Sequence, residues 1–201
     1  MKTPLRIFLI ALAVVLFACA SPAAASDITI GAGVTRYVDS GETLTINSGD
    51  TLTIESGGHL IINKSGTINN YGTIENYCEF VNWGTINNCG TFSTYYEFVN
   101  WGKINNGNII NTPGNIHNFG TIENCGIINS PSQTPNYGTI NNYEGGIINC
   151  TSLLPNPAIN LSLPCPFSCR EEVSALTPIG IIALVSLLSA IAAVAIARKR
   201  R

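Results

Sequence analysis

Residues 66–89 decide the fold, because they read GTINNY, GTIENY, CEFVNW and GTINNC, four six-residue units in direct succession. The shared frame is a small residue, usually Thr, an apolar residue, a polar residue, Asn, and then an aromatic residue or Cys. A fixed short period of this kind is typical of a chain wound into coils, in which each unit supplies one strand and one bend. The repeat therefore predicts an all-β fold, a single-stranded β-solenoid.

The third position of each unit is apolar and should face the interior. Side chains alternate across a strand, so the small first residue lies on the same side as the third and leaves room for it. The third positions are Ile68, Ile74, Phe80, Ile86, Phe92, Phe98 and Ile104. The Asn at the fifth position is expected at the corner of the coil. There it tolerates a left-handed backbone and can hydrogen-bond to the Asn of the next coil.

A longer repeat indicates the size of the coil. The sequence EFVNWGTINN, which starts at Glu79, recurs from Glu97 with a single change, an offset of three six-residue units. A coil of three units stacks Trp83 on Trp101, but it also places the two Glu side chains about 4.8 Å apart. A flattened coil of two units avoids that contact but loses the register of the longer repeat. We favour three units per coil, because a solvated pair of carboxylates costs little.

The start of the chain predicts a signal peptide at residues 1–26. Lys2 and Arg6 precede a short apolar run, and three alanines at 23–25 offer a cleavage site, which places the mature start near Ser26. A lipoprotein-type leader, in which Cys19 would carry the lipid, is the alternative.

Residues 27–65 carry an eight-residue form of the same repeat. Glycine recurs every eight residues at Gly33, Gly41, Gly49 and Gly57. The sequence TLTI at 43–46 and 51–54 alternates Thr with an apolar residue, which is the pattern of a strand with one buried face. This segment is therefore predicted to form the first coils of the solenoid rather than a separate domain.

Interruptions and an end are expected within and after the solenoid, which should span residues 27–150. Around 107–113 a five-residue unit is followed by a stretched one, and the two deviations cancel. At 130–136 the prolines predict a surface loop that replaces one side of a coil, and a partner contact is most expected there. Four prolines in residues 151–176 rule out regular ladders, so this segment is predicted as a cap and spacer.

Residues 177–197 predict one transmembrane helix. Twenty uncharged residues from Pro178 onward match the hydrocarbon thickness of a bilayer, and the four residues 198–201 are all basic. A basic cluster at the end of a membrane span stays in the cytoplasm. The sequence thus predicts a single-pass protein of the cell surface, with the solenoid outside and the C-terminus cytoplasmic.

The exported part is acidic. Without the leader and the basic tail, four basic residues remain against all twelve acidic ones, a net charge of −8. Binding to phosphate groups needs a basic face, so neither nucleic acid nor anionic lipid is expected as a partner of the exterior domain.

Six cysteines follow the leader: Cys78, Cys89, Cys125, Cys150, Cys165 and Cys169. An even number in an exported chain indicates disulfides, and Cys165 with Cys169 is the candidate pair, closing a small loop. Cys89 and Cys125 lie two coils apart, about 10 Å, which is too far for a bond between them. They are either core-facing thiols or links to a neighbouring molecule. With no Cys-x2-Cys pair and only two histidines, neither a metal site nor a cofactor is expected.

Two further kinds of surface site are candidates. Sequons for N-glycosylation begin at Asn63, Asn149 and Asn160. The side chains of Trp83 and Trp101 could stack on sugar rings, although aromatic residues in such repeats more often pack at corners or in the core.

The Gly-Thr-Ile-Asn-Asn phrases, combined with the tail from Thr177 to Arg201, resemble archaeal, especially methanogen, cell-surface β-solenoid proteins. The tail, TPIGIIA followed by an apolar helix and a basic end, looks like the PGF-CTERM and PEF-type sorting signals. It carries Pro178-Ile179-Gly180 where the first type has Pro-Gly-Phe. The resemblance implies an exported protein whose anchor is either retained or exchanged for a lipid by an archaeosortase.

We therefore expect a non-catalytic structural protein of the cell envelope, a surface-layer or sheath component, that contacts the membrane and can assemble with itself end to end or laterally. The alternative is an adhesin that binds glycans or a neighbouring cell through a solenoid face or the 130–136 loop. An enzyme is not expected. Acyltransferases with six-residue coils need a catalytic His, for which His117 is the one candidate in these units, and carbonic anhydrases of this shape need three His.

Overall fold

The structure, a computed structural model, describes residues 26–169, and within that range it contains strands and turns but no helix. The strands wind through about six turns of a parallel β-solenoid, which confirms the predicted fold class for this part of the chain. The signal peptide predicted at 1–26, apart from its last residue, and the membrane helix predicted at 177–197 lie outside the described residues.

The solenoid has three faces of parallel strands. The first contains β1 (Ile28–Ile30), β4 (Thr51–Ile54), β7 (Thr73–Asn76), β10 (Thr91–Thr94) and β13 (Ile109–Asn111). The second contains β2 (Thr35–Val38), β5 (His59–Ile62), β8 (Phe80–Asn82), β11 (Glu97–Asn100) and β14 (Asn115–Asn118). The third contains β3 (Thr43–Ile46), β6 (Thr67–Asn70), β9 (Thr85–Asn88), β12 (Lys103–Asn106), β15 (Thr121–Asn124), β17 (Thr139–Asn142) and β19 (Ile159–Asn160). Two long strands, β16 (Ile127–Asn136) and β18 (Ile147–Pro155), turn the corner from the first face to the second.

Strand register fixes the size of the coil. Ile28 pairs with Leu52 and Thr43 with Thr67, an offset of three eight-residue units. From the pairing of Thr67 with Thr85 onward, the third face keeps an offset of three six-residue units. Both expectations are thus confirmed: each coil holds three units, and residues 27–65 form the first coils of the same solenoid.

The third positions line a dry interior, as predicted. All seven (Ile68, Ile74, Phe80, Ile86, Phe92, Phe98 and Ile104) are 0 % exposed. Phe80, Phe92 and Phe98 contact one another at ring-centroid distances of 4.9 to 5.5 Å. Burial of each such side chain contributes about 1.5–3 kcal/mol to stability.

The fifth-position Asn side chains point inward and form hydrogen-bonded ladders. On the third face the ladder runs through Asn70, Asn88, Asn106, Asn124, Asn142 and Asn160, each Nδ2 donating to the next Oδ1 at 2.7 to 3.1 Å. On the second face it runs through Asn82, Asn100, Asn118 and Asn136 at 2.7 to 2.8 Å. The expected hydrogen bonds are confirmed, but the expected left-handed backbone is wrong. Apart from glycine, Ser65 alone has a positive φ in the part of the chain that the structure describes.

Glycine serves two different purposes along the chain. In the eight-residue units, Gly33, Gly41, Gly49 and Gly57 adopt φ between 77° and 91°, which favours glycine. In the six-residue units no positive φ is needed. A Cβ at Gly102 would overlap the carbonyl oxygen of Gly84, and a Cβ at Gly120 would overlap that of Gly102. The backbone of the adjacent coil therefore excludes a side chain at the first position of these units. The room required by the third residue is not the reason.

Two interruptions that the sequence predicted are absent. Thr91 pairs with Ile109 at the regular offset of three six-residue units, so the frame around 107–113 holds no five-residue unit. Residues 130–136 form no loop, because they continue β16, with a register irregularity between Ser130 and Gln133. Thr134 and Asn136 are 3 % and 0 % exposed, since they keep the third and fifth positions of the frame.

The two ends of the solenoid differ. Ladder pairing continues to Asn160, beyond the boundary predicted at 150, because proline without an N–H is tolerated in the last coil of a ladder. At the start, Arg36 takes an inward position and its Nη2 lies 3.3 Å from Oε1 of Glu42. Ile30 and Val38 in the same coil are 2 % and 0 % exposed. An inward-pointing charge of this kind protects an exposed strand edge.

Candidate functional site

The second corner, between the second and third faces, carries an exposed aromatic column made of Trp83, Trp101, Phe119 and Tyr137. These residues occupy the same sixth position of the unit in four successive coils. Their rings are parallel to within 10°, with successive centroid distances of 5.1, 4.1 and 5.0 Å. They are 37 to 55 % exposed. The predicted stack of Trp83 on Trp101 is thus confirmed, and two further rings, which the sequence had not placed in it, extend it.

The geometry of the aromatic column limits what it can bind. Trp101 is covered on one face by Trp83 and on the other by Phe119, so its exposed surface consists of ring edges. A sugar ring stacks on an aromatic face rather than on an edge. Within the column, therefore, the end rings are better placed for stacking than the middle ones.

A shorter stack lies at the first corner, between the first and second faces. Tyr77 and Tyr95 are parallel to within 5° at 4.7 Å. The Tyr77 hydroxyl donates to Oε2 of Glu75 at 3.4 Å. Partial burial, followed by the negative charge of Glu75, raises the pKa of Tyr77, because both disfavour a phenolate. Tyr77 is therefore a neutral donor at physiological pH.

Acidic and histidine side chains share the outside of the second face. Register places Glu97 over Glu79, as the three-unit repeat predicted. Nδ1 of His59 lies 3.6 Å from Glu79, and Nε2 of His117 lies 3.8 Å from Glu97, all four side chains being at least 31 % exposed. Each carboxylate thus has its own histidine neighbour, which offsets the repulsion between the two when that histidine is protonated.

The third corner, between the third and first faces, is covered by a strap formed by residues 161–169. The strap turns back from the last coil and is held by the disulfides Cys125–Cys165 and Cys89–Cys169. The five residues from Cys165 to Cys169 span four steps, about 13 Å when extended, which is enough to cover the two-coil distance of about 10 Å between Cys125 and Cys89.

The strap corrects the predicted cysteine pairing. Cys165 and Cys169 do not close a small loop, and Cys89 and Cys125 are neither core thiols nor free for a neighbouring molecule. Gly107 lies between these two in the same sixth-position column, where a Cβ would overlap Cys169 and lie 3.2 Å from Phe167. The sequence contained a signal for this pairing. The sixth positions at the third corner are Cys, Gly and Cys in successive coils, whereas those at the second corner are all aromatic.

Two cysteines are free in the part of the chain that the structure describes, Cys78 and Cys150. The Sγ of Cys78 accepts a hydrogen bond from the backbone N–H of Gly57 at 3.3 Å. Cys150 lies in β18 and pairs in register with Ser130 of β16. Partial burial raises the pKa of the Cys150 thiol. Cys150 is therefore a partly buried thiol on the last coil.

The three sequons differ in how their amide nitrogens are used. Nδ2 of Asn63 donates to Asp39 at 2.8 Å, and Nδ2 of Asn149 donates to Asn129 at 2.9 Å. Asn160 accepts from Asn142 through its Oδ1 at 3.1 Å and is exposed on the last coil. Because glycosylation modifies the amide nitrogen, Asn160 is the sequon whose geometry best suits it.

Within residues 26–169, no three or more His, Cys, Asp or Glu side chains are grouped so that they could hold a metal ion. The same range holds no helix whose length and apolar character would let it cross a bilayer. Comparison of the chain with protein-family models, with curated proteins and with solved structures gives no match in any of the three.

Proposed function

We propose that this chain is an exported, membrane-anchored structural protein of the cell envelope, a surface-layer or sheath component without a catalytic role. The proposal rests on one observation: each repeated position of the unit makes a contact between coils. The third positions fill the core, and the fifth-position amides hydrogen-bond to one another. The first-position glycines admit the backbone of the adjacent coil, and the sixth-position rings of the second corner cover one another. The chemistry that recurs along the sequence thus holds each coil to the next.

The cysteine chemistry supports an exterior location. Disulfides persist outside the cytoplasm, where no thiol pool reduces them. The pairs Cys89–Cys169 and Cys125–Cys165 join segments 80 and 40 residues apart in sequence, so both contribute to keeping the final coils wound. The acidic exported part, with few basic residues, is consistent with a surface exposed to solvent and not with a nucleic-acid partner.

Mass spectrometry and fractionation of the native protein test the proposal. We expect the protein in the envelope fraction, cleaved by external protease in intact cells, with a mature start near Ser26 and both disulfides formed. Recovery from the cytosol with reduced cysteines and an intact leader would contradict it.

An adhesin is the second candidate, favoured by the exposure of the aromatic column. On this hypothesis, saturable binding to a glycan array should fall when Trp83 is changed to Ala, because Trp83 ends the column. Tyr77→Ala, which removes a ring from the other exposed stack, is the matched control. Equal binding by the two variants would assign the aromatic column to coil packing alone.

A further inference from the structure

We propose that the last coil of the solenoid is an interface with a second copy of this chain, joined end to end with the two last coils facing each other. This proposal deepens the structural role proposed above, on which it rests, by naming which surface assembles and with which partner.

Within residues 26–169, the last coil leaves the end of the core uncovered. Ile148, Leu153 and Ala158, one on each face, pack against the core but remain only partly buried. No charged residue occurs anywhere from 147 to 169. In the part of the chain that the structure describes, the backbone of β18 and β19 pairs only with the preceding coil. An uncharged strand edge that leads directly into an apolar core is the type of edge that pairs with another strand.

The first coil is built in the opposite way. Its inward-pointing Arg36 is paired with Glu42, and its core residues Ile30 and Val38 are buried, whereas Ile28 is only partly buried. The coil also carries Asp27, Asp39 and Asp50, so four carboxylates stand against one guanidinium. Two first coils would repel each other, and a first coil placed on a last coil would bury charges against apolar side chains. Contact between two last coils is the one end-to-end arrangement that buries no charge.

Within the residues that the structure describes, the segment after the last coil leaves the end of that coil free. The strap turns away from it, and Cys169, the last residue that the structure describes, is bonded to Cys89 at a distance of several coils. A glycan on Asn160 would stand on the last coil, so the interface requires that this sequon be unmodified.

The size of the contact determines the assay. A triangle with six residues per side, about 20 Å, has an area of roughly 170 Å², far below the roughly 800 Å² per partner of a stable interface. Pairing is therefore weak and needs a high local concentration, as on a surface. A covalent trap detects such contacts better than sedimentation does. Two last coils that form this interface bring their two Cys150 thiols within the span of a bifunctional reagent.

The experiment treats the full oxidised chain, solubilised in detergent, with a bis-maleimide and maps the linked peptides by mass spectrometry. We expect dimers linked through Cys150 and not through Cys78, which provides an internal control for random encounters. Ala158→Lys should lower the dimer yield at least about tenfold, because two like charges would then face each other across the contact. Thr139→Lys, exposed on a column that already contains Lys103, should leave the yield unchanged.

Links through Cys78 as frequent as those through Cys150, or a dimer yield that Ala158→Lys leaves unchanged while circular dichroism shows a native fold, would overturn the interface. So would dimers that form only after enzymatic deglycosylation. Each of these outcomes leaves the envelope role standing, because fractionation tests that role separately. Absence from the envelope, with Cys150 dimers still formed, would instead overturn the proposed function.

Discussion

Two adjacent asparagines, Asn105 and Asn106, should respond very differently to the same substitution. Asn106 is 0 % exposed, and its Nδ2 donates to Asn124 at 2.7 Å and to the carbonyl of Ile127 at 3.2 Å. It also accepts from Asn88 at 2.8 Å. Asn105 lies on the outer surface of the same strand, half-buried, and donates one bond to its neighbour in the preceding coil at 2.7 Å.

The magnitude of the Asn106→Ala effect follows from the groups it leaves behind. Oδ1 of Asn124 loses its donor inside the core, at a cost of about 1–3 kcal/mol, and two further hydrogen bonds worth about 1 kcal/mol each are lost. We therefore expect the free energy of unfolding to fall by about 3–5 kcal/mol. Asn105→Ala should cost at most about 1 kcal/mol. It removes one hydrogen bond, but it also removes a buried Oδ1 that has no hydrogen-bond partner, and this offsets part of the loss.

Guanidinium unfolding of the oxidised protein, followed by circular dichroism, measures both variants. The midpoint should shift several times more for Asn106→Ala than for Asn105→Ala. Equal shifts would refute the assignment of the buried ladder as a structural element, and so would a larger shift for the outer position.

Three further predictions concern the glycines, the strap and the start of the solenoid. Gly102→Ala should destabilise the protein by about 3 kcal/mol or more, since the backbone of the adjacent coil cannot move away. Gly41 has open space around it but a φ of 82°, so Gly41→Ala should cost about 1–2 kcal/mol. Thermal unfolding that ranks the two variants in the reverse order would contradict this. Changing Cys89 and Cys169 together to Ser should lower the free energy of unfolding by about 3–4 kcal/mol, because the unfolded chain then regains the freedom that this cross-link removes, and denaturant midpoints no different from those of the parent would rule this out. The backbone N–H of Ser26, followed by the side-chain amide of Asn47, lowers the pKa of Asp50. A lowered pKa stabilises the fold above the pKa of the unfolded chain, about 3.9, and this contribution is lost as the pH falls through the folded pKa. Tm should therefore decline on acidification below about pH 4 more steeply for the parent than for Asp50→Asn, and parallel Tm profiles would show that this carboxylate contributes nothing.

Much of the fold could be predicted from the local periodicity of the sequence. The offset of three units between Glu79 and Glu97 determined the register, and the apolar third positions identified the core, because both follow from the alternation of side chains along a strand. The buried Asn ladder was also foreseeable, since an amide can both donate to and accept from its own copy in the next coil.

Other features depend on contacts between residues distant in sequence, which no local pattern encodes. The prolines at 131 and 135 predicted a loop, yet the pairing of β16 with the adjacent strands keeps that segment extended. The partner of Cys169 is 80 residues away, and only the return of the strap along the third corner brings the two together.

The amino-acid sequence by itself determined that this chain winds into coils of three units around an apolar interior, because a repeat that alternates small, apolar and amide residues can satisfy itself only by stacking on its own copies. The tertiary structure alone decided how the coil is closed. Arg36 turns inward at the first coil and the strap is bonded to the third corner, while no described residue covers the end of the last coil. The physical reason is that ends and corners break the repeat, so their energetics depend on which distant groups the fold brings together.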